Sequence, residues 1–221
     1  MIPIHDSHPS YSKPVVTILL IGVNVLAFLF LLSLDPFTRN DFIAVFGMVP
    51  DRFQFISLLT SMFLHGGWMH LLGNMLFLWV FGDNIEDILG SGKFLLFYLL
   101  CGVAAAGAQY FINPDSRVPM IGASGAIAGV MGAYLLKFPH SRISMIGWFV
   151  IIFTFELPAW VVLLYWFGIQ FLSGVGSIAD VTGEKGGTAF FAHMGGFVAG
   201  MALIYLFKTR DPYRLRRDLL W

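Results

Sequence analysis

Six apolar stretches, at about 15–34, 67–82, 93–112, 123–138, 157–173 and 189–207, follow one another along a chain of 221 residues. A helix needs about 20 mostly apolar residues to cross a hydrocarbon core about 30 Å thick. Within that core only helices and closed barrels satisfy every backbone polar group. The pattern therefore predicts an all-α membrane protein, a bundle of six transmembrane helices forming a single domain over 1–221. Composition agrees, since 57% of residues are hydrophobic and only 12% charged, against about 25% charged in soluble domains.

Charge and cysteine content exclude other classes. Thirteen Lys and Arg balance thirteen Asp and Glu, and no long basic block occurs, so nothing in the chain offers the concentrated cationic surface that nucleic acid demands. The lone cysteine, Cys101, sits in the apolar run Phe94 to Val103; it allows no disulfide framework or cysteine metal site and reads as a small packing residue. The run Val15 to Leu34 behind Lys13 is longer than a signal-peptide core and lacks a small-x-small cleavage site, so it is expected to remain as the first span.

Segments of about 16 residues reach only about 24 Å at a rise of 1.5 Å per residue. The second and fourth are accordingly expected as inner helices with one end below the membrane surface. Between the first two spans, residues 35–66 are rich in Phe yet carry Asp35, Arg39, Asp41, Asp51 and Arg52, a balance that predicts a long structured loop at the interface. Ile143 to Phe155 is apolar but ends at Glu156-Leu157-Pro158; it fits a strand-like or re-entrant connection, or the start of the fifth helix. Placing both termini in the cytoplasm puts Lys13, Lys93, Lys137, Arg142, Lys208, Arg210, Arg214, Arg216 and Arg217 inside. Only Arg39, Arg52, Arg117 and Lys185 are then outside, as the positive-inside rule favours.

Polar side chains within spans are costly and become functional candidates. His70 and Asn74 share one helix face at i, i+4, Ser124 opens the fourth span, and His193 lies in the sixth. Counted at 1.5 Å per residue from the cytoplasmic ends, Ser124 lies at about 21 Å, His193 at about 22 Å, and His70 and Asn74 at about 24 Å and about 18 Å. Groups placed only for local packing have no reason to align across three helices. Gly125 with Gly129, Ala128 with Gly132, and Gly196 with Gly200 place small residues four apart, the spacing that lets helices approach closely.

This constellation fits acyl transfer. A serine hydroxyl needs a base within hydrogen-bond reach, and His193 is the candidate. The oxyanion of the tetrahedral intermediate needs preorganised donors, which His70, Asn74 and the Ser124 backbone N–H can supply. In Gly122-Ala123-Ser124-Gly125 the serine stands where a loop becomes a helix, so free N–H groups and the positive helix end face the developing charge. Neither the fourth nor the sixth span holds Asp or Glu at that depth. A dyad is therefore expected, with some other group orienting His193.

Gly122-Ala-Ser-Gly125, His65-Gly-Gly-Trp-Met-His70-Leu-Leu-Gly-Asn74 and Ala192-His193-Met-Gly-Gly196-x-x-x-Gly200 together resemble the rhomboid family of intramembrane serine proteases, over essentially the whole chain. The resemblance implies Ser124 as nucleophile, His193 as general base, and His70 and Asn74 in the oxyanion hole. It also implies single-span membrane proteins as substrates, cut near their outer end after a small residue, without metal or cofactor. Two positions depart from the pattern. A Trp-Arg pair frequent in the family's first loop falls at Ile56-Ser57, and an aromatic that stacks on the histidine in some members is Ala128 here; Phe190 or Phe191 could take its place. By analogy Trp160, Trp166, Phe167 and Phe171 of the fifth span form a lateral gate, or else they are aromatics at lipid and interface positions.

His5 and His8 are expected to be solvated, His140 to lie in a cytoplasmic loop, and His65 to support the second helix. No His-Glu-x-x-His or carboxylate pair supports a metalloprotease or aspartyl protease. Two other classes remain in view: a noncatalytic rhomboid-like binder of spanning helices, opposed by the presence of both serine and histidine, and a transporter, opposed by the lack of a repeat between the two halves. A compact chain without a targeting extension points to a prokaryotic plasma membrane.

Overall fold

The structure, a computed structural model, describes residues 2–148, 152–179 and 189–210. Lys185, Arg214, Arg216 and Arg217 lie outside them. Helix α1, Val15–Ser33, begins at Pro14 and stops before Asp35. Asp35 caps α2, Pro36–Phe46, by accepting the N–H groups of Phe37 and Thr38 at 3.0 and 3.1 Å, with Pro36 in the first turn where its missing donor costs nothing. A short helix, α3, Ser57–Thr60, and two single 3-10 turns fill the rest of the connection. This connection is pinned to the segment before the fourth apolar stretch: Met48 and Met120 exchange backbone hydrogen bonds of 3.0 and 2.8 Å, and Asp51 meets Arg117 at 3.3 Å.

Helix α4, Trp68–Leu89, continues about two turns past the expected end at 82. The reason lies in its last turns, whose polar residues are buried where a break had been expected. The Glu86 carboxylate, only 1% exposed, accepts from Val16 N at 2.9 Å, Thr17 N at 2.8 Å, Thr17 Oγ1 at 2.9 Å and Ser91 Oγ at 2.6 Å. Asp87 accepts the Tyr11 and Ser12 N–H groups. The free donors at the start of α1 are thus capped by the Glu86 carboxylate from α4, where a helix dipole favours negative charge, while Asp87 holds the segment leading into it. Glu86→Ala is expected to destabilise the protein by about 2–4 kcal/mol, because buried donors lose a charged acceptor. Thermal unfolding in detergent checks this, with Glu86→Gln falling between; a wild-type midpoint for the alanine variant would show that the cap is idle.

A single residue, Gly90, turns the chain into α5, Ser91–Ile112, with φ of +78°, a conformation that side chains resist. Then come α6, Ser124–Lys137, α7, Ala159–Ala179, and α8, Phe190–Leu203. The fifth apolar segment therefore continues past 173, and the sixth ends as helix at Leu203, followed by turns. The apolar run after Ile143 forms a hairpin of β2, Arg142–Trp148, and β3, Ile152–Pro158. The N-terminal strand β1, Ile2–Asp6, adds to it antiparallel, giving the order β1-β2-β3. Ile143 and Met145 face inward, and Arg142 pairs with Glu156 at 3.8 Å on the other face. Asp6, buried at the strand end, accepts from Asn84 Nδ2 at 3.0 Å and from the Tyr134 hydroxyl. His5 is exposed, but His8 is half-buried, its ring 4.2 Å from that of Phe138, so its expected solvation does not hold.

Helix α6 is the axis of the molecule, its residues Gly125 to Tyr134 all buried. Approach to α8 is very close: a Cβ on Gly196 would lie 2.0 Å from Gly125 O, and one on Gly200 1.9 Å from Gly129 O. The outer surface is apolar, with Leu19 and Leu26 of α1, Leu96 of α5 and Leu164 and Leu172 of α7 exposed, while Thr17, Asn24, Asn74 and Asn84 are buried. Such an inside-out distribution suits lipid rather than water. By length and composition Val15–Ser33, Ser91–Ile112 and Ala159–Ser177 can cross a membrane. Helix α4 carries Asp83, Glu86 and Asp87, and α6 and α8 have 14 residues each.

Candidate active site

The site forms where α4, α6, α7 and α8 converge, and its geometry begins with a turn. Gly122 adopts φ of +116°, and its N–H donates to Ser61 O at 2.9 Å. A Cβ there would stand 2.5 Å from His70 Nε2 and 3.4 Å from Asn74 Nδ2. Position 122 therefore excludes a side chain for two reasons, backbone conformation and the presence of His70. The turn delivers Ser124 as the first residue of α6, a helix with no side-chain cap, so its first N–H groups stay available.

His193, about one turn into α8, places Nε2 2.7 Å from Ser124 Oγ. Its other nitrogen, Nδ1, lies 2.8 Å from Gln170 Oε1. With that oxygen as acceptor, Nδ1 carries the ring proton and Nε2 presents its lone pair to the serine. The Trp166 ring stacks tilted over His193 at a centroid distance of 5.8 Å. Phe190 and Phe191, the expected substitutes for the missing aromatic, pack instead against Gly174 of α7; the ring is covered from α7, one turn before Gln170.

His70 and Asn74 share the α4 face as their spacing requires, and both line one cavity of about 340 Å³ with Ser124, His193, Trp166 and Gln170. Asn74 Nδ2 donates to His65 Nε2 at 2.9 Å, leaving its second amide hydrogen for the cavity. His65 lies before α4 and is only 2% exposed; burial pushes its pKa down to about 4, so near neutral pH it is the uncharged acceptor that this bond requires. Its ring meets that of His70 edge-on at 5.0 Å. His70 is exposed, and its Nδ1 accepts from Gly66 N–H at 3.5 Å. Among the described residues no group of three metal-ligating side chains gathers.

A family model described as the rhomboid domain matches residues 52–210. The chain belongs to the rhomboid family. It is thereby a multi-pass membrane protein. It is 32% identical over 170 residues to "Rhomboid protein 1, mitochondrial" of Saccharomyces cerevisiae, covering 73% of this chain and 45% of that one. It is 37% identical over 127 residues to "Rhomboid protease GluP" of Bacillus subtilis, 56% of this chain and 24% of the relative. To "Presenilin-associated rhomboid-like protein, mitochondrial" of Bos taurus it is 31% over 204 residues, 87% and 50%. The chain spans half or less of the length of these relatives.

Two parts of this rhomboid's site, Gln170 and the place of Trp166, escape the sequence reading. Gln170 is a polar residue inside an apolar segment and was findable by the rule that singled out Asn74. His65, expected to support the second helix, meets Asn74 of α4 and thereby joins the site. Trp166 was taken with Trp160, Phe167 and Phe171 as one aromatic group, yet Trp160 and Phe171 face outward while Trp166 and Phe167 turn toward Phe197 at 6.1 and 4.9 Å. Gly122→Ala is expected to destabilise the protein by about 1–3 kcal/mol, since the new methyl displaces His70 and the left-handed turn resists it. Thermal unfolding in detergent checks this; a wild-type midpoint would show that the turn tolerates a side chain.

Proposed function

We propose that this rhomboid is an intramembrane serine endopeptidase that cuts single-span membrane proteins near the outer face. The observation that carries the reading is the 2.7 Å contact between Ser124 Oγ and His193 Nε2 inside a cavity that His70 and Asn74 also line. Ser124 Oγ attacks the scissile carbonyl carbon as Nε2 takes its proton, and the carbonyl oxygen becomes an oxyanion held by Asn74, His70 and the Ser124 N–H. The imidazolium returns the proton to the leaving amine as the C–N bond breaks. Water, deprotonated by Nε2, then opens the acyl-enzyme and releases Ser124. No cofactor enters this sequence of steps.

Six spans are part of the proposal: α1, α4, α5, α6, α7 and α8, with residues 35–66 lying at the outer interface. Lys93, Lys137, Lys208 and Arg210 gather at the end away from the cavity, where Lys93 Nζ reaches Lys208 O at 3.0 Å and Lys137 lies 5.6 Å from the Tyr205 ring. That distribution supports cytoplasmic termini and an outward-facing site. A prokaryotic plasma membrane is our reading of the compartment, although two of the relatives carry mitochondrial names.

The test is cleavage of a single-span reporter by the purified protein in liposomes, with the new termini identified by mass spectrometry. Cutting near the outer end of the reporter's span, after a small residue, is expected. A protein that holds the reporter without cutting it would move the assignment to a noncatalytic binder of spanning helices.

A further inference from the structure

The chain expected to act as a dyad has a third polar member. Gln170 is the polar side chain that α7 directs at the site, and its Oε1 accepts from His193 Nδ1 at 2.8 Å. Four residues earlier on the same helix face, Trp166 covers the His193 ring. Both contacts that fix the imidazole on the side away from Ser124 therefore come from α7. This helix leans on α8 through Phe167 against Phe197, at 4.9 Å, while Leu164, Tyr165, Ile169 and Leu172 face outward.

We infer that Gln170 is a positioning residue, holding His193 in the tautomer that activates Ser124, so that the site is competent only while α7 is seated against α8. This rests on the protease reading given above. A neutral amide can fix a tautomer and a ring orientation as a carboxylate does, but without lending charge to the imidazolium. The arrangement makes catalysis conditional on helix packing: a displacement of α7 by about 1 Å stretches a 2.8 Å bond beyond useful length.

Three measurements test this. In ¹⁵N-histidine NMR spectra the wild type is expected to show His193 protonated at Nδ1, and Gln170→Leu is expected to show a mixture of tautomers; this reads positioning independently of any cleavage. In reporter cleavage, Gln170→Leu is expected to lower kcat at least about 10²-fold with KM changed less than about 3-fold, as loss of ring orientation predicts. Gln170→Glu restores an acceptor and is expected to recover most of that loss. It also moves the acid limb of the kcat profile to higher pH, because a carboxylate at Nδ1 stabilises the imidazolium that cannot act as base. The titratable side chain facing His193 from another helix is His70 on α4, unchanged in both variants. Finally, Phe167→Ala, which loosens α7, is expected to slow turnover alone but to add clearly less than that to Gln170→Leu, since both act through the Gln170–His193 hydrogen bond and only the Trp166 contact remains to be lost. Unchanged tautomers in Gln170→Leu, wild-type kcat in that variant, or a fully additive double variant would each overturn the inference.

Discussion

Ser124→Ala and His193→Ala are each expected to reduce reporter cleavage by about 10⁴-fold or more, with both proteins still folded, if the proposed protease mechanism holds. That loss corresponds to about 5 kcal/mol of transition-state stabilisation at 1.36 kcal/mol per tenfold. Removing the hydroxyl removes the atom that the proposed mechanism uses to form the acyl bond. Removing the imidazole leaves a hydroxyl whose proton has no acceptor, since Nε2 is what meets Oγ at 2.7 Å. The double variant is expected to be no worse than either single one, because nucleophile and base act as a unit. Single-turnover cleavage with excess enzyme reads this, and unaltered thermal unfolding separates lost chemistry from lost fold. An additive double variant would mean that the two side chains serve separate functions.

The second large effect is structural. Gly200→Ala is expected to destabilise the protein by about 3 kcal/mol or more, because its methyl would stand 1.9 Å from Gly129 O and 2.5 Å from Gly129 Cα. Both neighbours are backbone, so no rotamer change relieves the clash; α8 must retreat from α6. Activity is expected to fall more than stability alone explains, because Ser124 and His193 are carried by those two helices. Gly22→Ala in α1, with nothing within 4 Å, is the control and is expected to be neutral or stabilising by up to about 1 kcal/mol. Equal unfolding midpoints for the two variants would show that the α6–α8 contact is looser than described.

These two effects mark what was legible in the sequence. His70, Asn74, Ser124 and His193 stood out because polar groups are rare in apolar helices, and Gly196 and Gly200 because small residues recur at spacing four. The structure gathers the first four around one cavity and brings Gly196 and Gly200 against the backbone of α6. What stayed hidden depended on contacts distant in sequence. Nothing local in Asp83 to Asp87 tells that Glu86 will cap α1 some 70 residues away, so the polar run was taken as the helix end. The stretch that forms β2 and β3 stayed open between strand-like, re-entrant and helical readings, because an unbroken apolar run has no period by which to tell them apart; the strand-like one holds. Gln170 was visible as a residue but not as a partner, because its value lies in meeting His193, 23 residues further on.

Activation of Ser124 by His193 is the step on which the proposed mechanism turns. Labelling of the detergent-solubilised protein with a fluorophosphonate, followed by peptide mass spectrometry, measures this without knowledge of any substrate. If that mechanism holds, one covalent adduct forms, on Ser124, at least about 10²-fold more slowly in His193→Ala. An adduct on a different residue, or equal labelling of Ser124 with and without the histidine, would contradict it.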